Sequence, residues 1–143
     1  MKKFQISALQ QRQFKAPVTV KLASDEVGKK GEMQYDTIHF VVRFRSVPGD
    51  EARKNLLRVE ELRNQGNSLE EVLTESLNQS KSYVLGIEKH PEHPFPFLDG
   101  ENDAESSPEL IEQLLNVREI REAIEKTYGE ARSGELLAKN AKK

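Results

Sequence analysis

The sequence contains no cysteine and no tryptophan. Without thiols there is no disulfide scaffold, no thiolate zinc site, no CxxC redox pair and no cysteine nucleophile. Aromatic residues are scarce, at 6% of the chain, so the core has to come largely from aliphatic packing. An excess of either charge is missing too: 22 Lys+Arg against 24 Asp+Glu leave −2 over 143 residues. That balance argues against a nucleic-acid coat or a polybasic membrane binder, both of which need a sustained positive excess. Long hydrophobic runs are also lacking. The apolar stretch from Phe4 to Leu9, after Lys2 and Lys3, ends at Gln10, Gln11, Arg12 and Gln13. It falls far short of the roughly 20 residues that span a bilayer. The expectation is a protein without a membrane span that works in a cytoplasm, in keeping with its lack of cysteine.

What is present is charge and pattern. Charged residues make up 32% of the chain, and hydrophobic residues 36%. Residues 1–30 hold seven basic groups against Asp25 and Glu26, whereas residues 99–112 hold six acids and no base. Both read first as solvated surface, because exposed charges are screened.

Apolar residues alternate at Val18, Val20 and Leu22, and again at Ile38, Phe40, Val42 and Phe44. Period two predicts two strands, each with one apolar face, within residues 16–47. Gly28 and Gly31 sit in the charged loop between them, and Phe4 to Leu9 is a candidate third strand. Pro48-Gly49-Asp50 ends the second strand, with Asp50 placed to cap a helix carrying Ala52, Leu56, Leu57, Val59 and Leu62. Gly66 stops that helix. Ser68 and Glu71 have capping-box spacing and start a helix with Leu69, Val72, Leu73 and Leu77 on one stripe. Residues 85–107 have no helical period and include Pro91, Pro94 and Pro96, which predicts a long loop. Ser107-Pro108 restarts helix, with Leu110, Ile111, Leu114 and Leu115, and a last helix comes after it with Val117, Ile120, Ile124 and Tyr128.

The expected fold class is therefore α+β. Two to three antiparallel strands in the N-terminal third precede about four helices, over 50–83 and 107–133, packed on one sheet face. The expected organisation is a single domain over residues 1–138, then a flexible basic tail at 139–143.

Motifs for chemistry are weak. His90-Pro91-Glu92-His93 superficially resembles a ligand pair, but the prolines exclude the helical i,i+4 arrangement and no third ligand is indicated. His39 falls on the polar strand face, where a cross-strand hydrogen bond is the simpler role. Asp99, Glu101 and Asp103 approach a calcium loop but place Ala104 where glycine is needed. The chain has neither GxSxG nor a glycine-rich phosphate loop. Neither a catalytic site nor a bound metal or cofactor is expected, so the protein reads as a non-enzyme. The alternative is a small nucleic-acid-associated regulator using Lys15, Lys21, Arg43 and Arg45 on the strands. It is weakened because Phe40 and Phe44 alternate onto the other face, and a stacking platform needs aromatics and cations together.

The order of features in the C-terminal half is more specific. Val84-Leu85-Gly86-Ile87-Glu88 leads into Pro94-Phe95-Pro96-Phe97, then Ser107-Pro108-Glu109-Leu110-Ile111-Glu112-Gln113-Leu114-Leu115. Val117 to Ile124, Tyr128-Gly129-Glu130-Ala131 and a terminal Lys139-Asn140 complete it. Over about residues 36–140 the chain resembles the tail assembly chaperones of long-tailed bacteriophages and prophages, the group that includes the lambda-like minor tail protein encoded before the tape measure protein. Val84 and Leu85 stand where that family usually has an aromatic near Gly86. The resemblance implies a non-catalytic protein that binds the long helical tape measure protein and promotes its assembly with the tail tube protein. Such a protein needs an apolar surface for a helical client, and self-association would add avidity. The surplus apolar residues Phe95, Phe97, Leu98, Leu114 and Leu115 are the candidate partner-binding positions, with Leu56 and Leu57 as further candidates.

Overall fold

A computed structural model describes residues 1–133. The expected tail at 139–143 and the end of the expected domain lie outside the described residues. In chain order the elements are α1 (Ile6–Gln10), β1 (Gln13–Val27), β2 (Met33–Arg45), α2 (Gly49–Asn64), α3 (Leu69–Tyr83), β3 (Val84–Glu88), β4 (Leu98–Asp99), β5 (Asn102–Asp103), α4 (Pro108–Leu115) and α5 (Arg118–Ser133). The architecture is α+β: a three-stranded antiparallel sheet in the order β1-β2-β3, with helices on one face and the other face open.

The period-two pattern explains the two long strands. Val18 pairs with Phe40 and Ala16 with Val42, so the apolar set of both strands meets on one face. Ala16, Val18, Val20, Phe40, Val42 and Phe44 are all buried there. Gly31 takes φ +82° in the connecting turn, a conformation that costs glycine little. Pro17 sits within β1, which is the outer strand, where a residue without an N–H is tolerated. Beyond residue 41 towards the turn, β2 has no β3 partner, and the hairpin continues as a two-stranded ribbon.

The third strand is β3, and not Phe4 to Leu9. That N-terminal stretch instead forms the single turn α1, closed by the Leu9 N–H donating to Gln5 O at 3.1 Å. Residues 84–88 hide their strand character through a bulge. Arg43 pairs with Gly86 and Phe44 with Val84, which leaves Leu85 unpaired. The extra residue lets Val84 and Ile87 both face the core despite their odd spacing. A short ladder, β4 with β5, further divides the expected loop 85–107. Its turn begins at Gly100 with φ +68°, while Glu101 keeps a negative φ, as a type II′ turn requires.

Helix ends obey local chemistry, with one correction. α2 is capped by Pro48 and not by Asp50: its first bond runs from the Ala52 N–H to Pro48 O at 2.9 Å. Asp50 and Glu51 fall inside the first turn, where carboxylates favour the positive end of the helix dipole. At its other end Gly66 (φ +72°) donates to Arg63 O at 3.1 Å and Asn67 to Leu62 O at 3.1 Å, the two bonds of a Schellman motif. Ser68 accepts from the Glu71 N–H at 3.3 Å and Ser107 from the Leu110 N–H at 3.1 Å, with Pro108 in the first turn.

The core lies between sheet and helices. Leu110, Ile111, Leu114 and Leu115 of α4 and Ile120, Ile124 and Tyr128 of α5 complete it. Tyr128 stacks on Tyr83 at 3.9 Å and lies 5.3 Å from Phe44, and its buried hydroxyl accepts from the Val47 N–H at 3.0 Å. That bond ties the end of α5 to the segment leaving β2. Burial pushes the Tyr83 hydroxyl up to about 12, against a partial offset from its hydrogen bond to Ser80. No helix among the described residues is long and apolar enough to cross a membrane.

Candidate functional site

The expected partner-binding residues separate into two groups. Leu114 and Leu115 are sealed into the core, at 6% and 1% exposure, which corrects their assignment to a partner surface. The helix carrying them is apolar over a wide arc because sheet and α5 flank it, so its leucines have no free face. Phe95 and Phe97 are half-buried and pack on the core, Phe97 edge-on to Phe40 at 5.2 Å. Leu98 is 68% exposed, on the rim of an acidic cleft of about 570 Å³ between the β4–β5 hairpin and α4.

The larger apolar surface lies on the α2–α3 helical pair. α2 rests on α3, and α3 in turn meets β2, β3 and α4. Along α3, Val72 and Leu77 turn inward while Leu69 and Leu73 remain 73% and 52% exposed. With Leu77 at its inner end, this i,i+4,i+8 row lines an apolar groove of about 390 Å³ bounded by Glu70, Thr74 and Arg121. On α2, Leu56 and Leu57 are 62% and 55% exposed. Leu56 also edges a groove of about 320 Å³ whose floor is Val59, Tyr83 and Tyr128. The helix periodicity is legible in the sequence, and the surplus leucines of α2 mark Leu56 and Leu57 as candidates. Sequence reasoning misses Leu69 and Leu73, because period alone does not say which helix face the sheet will cover.

Polar edges surround these leucines. Arg121 bonds Glu125 at 3.3 Å, and partial burial nevertheless raises the Glu125 carboxyl above its ordinary value, partly opposed by Arg121. An apolar row with a charged margin is the arrangement that accepts the apolar face of an amphipathic helix.

The open sheet face is polar and internally paired. Glu88 on β3 bonds Lys15 of β1 at 2.8 Å and Arg43 of β2 at 3.2 Å, linking all three strands. The Lys15 hydrogen bond is the main cause that holds the Glu88 carboxyl below its ordinary value. Arg45 bonds Glu51 at 2.8 Å. Phe40 and Phe44 are buried beneath the opposite face, so neither can stack beside these cations.

His39, His90 and His93 do come together on this open face, the first from β2 and the others from the turn after β3. Among the described residues no group of three or more histidines or carboxylates is placed to hold a metal ion. Comparison with protein-family models, with curated proteins and with solved structures finds no match for this chain.

Proposed function

We propose that this protein is a tail assembly chaperone of a long-tailed phage or prophage, binding the tape measure protein and promoting its assembly with the tail tube. The observation that carries the reading is exposed leucine on both helices of the α2–α3 pair: Leu69 and Leu73 in a groove along α3, and Leu56 and Leu57 on α2. Scattered exposed leucines need no explanation, but a row at helical spacing in a groove fits the apolar stripe of a second helix. A tape measure protein is long and helical and exposes many such stripes before its tube forms. The order of features from Val84 to Ala131 supports the same role through its resemblance to this chaperone family. The proposed work is non-covalent: the leucine surface shields the client's stripes, the polar margin keeps the complex dissolved, and the client leaves when tube protein competes for it.

Co-expression with the tape measure protein encoded beside it tests this. The client becomes soluble and the two proteins co-elute on gel filtration. Unchanged client solubility with no co-elution overturns the proposal.

A further inference from the structure

The chain's three histidines meet where β2 runs on past the end of β3. His39 stands opposite Thr19 of β1, with the Thr19 hydroxyl 3.1 Å from His39 Nδ1. His90 and His93 form a turn closed by the His93 N–H donating to His90 O at 3.3 Å. The His93 ring stacks on His39, with centroids 3.9 Å apart and planes 12° from parallel. His90 lies 4.8 Å from His93 and 6.0 Å from His39.

One of these contacts requires an uncharged ring, and another disfavours two charged ones. Neutral imidazoles stack favourably, whereas two imidazolium ions at this separation repel each other. His90 Nδ1 accepts a hydrogen bond from the Glu92 N–H at 3.0 Å. A protonated imidazole carries hydrogen on both nitrogens and accepts nothing. The same bond disfavours a metal on His90, since a neutral ring bound through Nε2 keeps its proton on Nδ1. The turn also anchors the segment that continues from it, in which Phe95 and Phe97 press on the core.

We propose that His39, His90 and His93 form an acid-sensitive latch. Neutral, the trio holds residues 89–97 against the sheet; protonated, it releases them and uncovers Phe95 and Phe97. The charged groups around it come from every adjoining element. Lys15 and Lys21 share the open face on β1, Arg43 on β2 and Glu88 on β3, with Lys89 and Glu92 in the segment itself. Glu88 is committed to Lys15 and Arg43, and Lys89 Nζ donates to His90 O at 3.1 Å. Among these side-chain types only histidine ordinarily changes charge near neutral pH, so the change belongs to the trio. Positive Lys21 and Lys89 add to the repulsion once the rings are charged.

Hydrogen exchange, corrected for intrinsic rates, tests the latch. From about pH 7.5 to about pH 5.5, protection of the Glu92 and His93 amides, and of the Ala104 amide that donates to Phe97 O at 2.9 Å, falls by about tenfold or more, while α5 is unaffected. The ring-to-ring nuclear Overhauser effect between Phe97 and Phe40 disappears over the same range. A His90→Asn/His93→Phe variant keeps a side-chain acceptor near the Glu92 amide and an uncharged ring on His39, and it stays protected at both pH values. Wild-type protection and ring contact that ignore pH overturn the latch, as does a folded variant that opens like the wild type. The wild-type measurements decide alone if the variant does not fold.

Discussion

Replacing Leu69 and Leu73 by serine separates binding from folding. Fully burying a leucine is worth about 1.5–3 kcal/mol, and these two side chains have about three quarters and one half of their surface left to bury. A client helix covering both therefore gains at most about 2–4 kcal/mol from the pair. The double variant should weaken the complex by roughly 30- to 700-fold if coverage is complete, at 1.4 kcal/mol per factor of ten. The cost to the fold should be smaller, about 1–2 kcal/mol: neither residue is a core member, only about a quarter of Leu69 and half of Leu73 are already buried, and helix propensity adds a few tenths of a kcal/mol. The assay is titration of the purified protein with a tape measure fragment, beside thermal unfolding of the free variant. Undiminished affinity in a variant that still unfolds cooperatively would refute the α3 groove as the binding surface. Loss of the fold itself would refute the claim that this row is free of the core.

The packing leads to three further outcomes. Leu115→Ala should lower stability by about 2–5 kcal/mol, because a fully buried side chain leaves a cavity between α4 and the sheet; urea unfolding measures it. Tyr128→Phe removes the acceptor of the buried Val47 N–H and should cost about 1–3 kcal/mol, seen in calorimetry as a fall of about 3–10 °C. For Glu88, whose folded-state pKa is lowered, the ionised form is the one favoured by folding. Its stabilisation is present above the ordinary carboxylate value of 4.5 and is lost as pH falls through the lower folded value. Glu88→Gln should therefore cost less than about 1 kcal/mol at pH 7, since the side chain is 36% exposed, and nothing in strong acid. Equal urea midpoints for the two proteins at pH 7 would remove the three-strand bridge from the account.

The parts legible in the sequence are those where one local rule operates alone. β1 and β2 alternate cleanly because a single face is covered, and α3 and α4 start at serines that do cap them. β3 is hidden because its alternation is broken by the bulge at Leu85, and because it comes directly after α3 with no punctuating loop. The same omission hides the histidine cluster. Only with β3 beside β2 does the register bring His90 towards His39. The candidate surface is half legible for a different reason. Apolar periodicity marks a helix as amphipathic, but whether its stripe meets the sheet, as at Leu114 and Leu115, or is left open, as at Leu69 and Leu73, depends on long-range packing.

Pro17 bears on how copies of this protein can meet. A regular ladder accommodates proline with its nitrogen turned outward. The long rim of β1 then lacks a donor partway along, and Lys21 adds charge a few residues further on. Such a rim is a poor template for strand-by-strand growth. The strand edge is thereby protected against seeding fibres, and any pairing between copies is steered away from that rim.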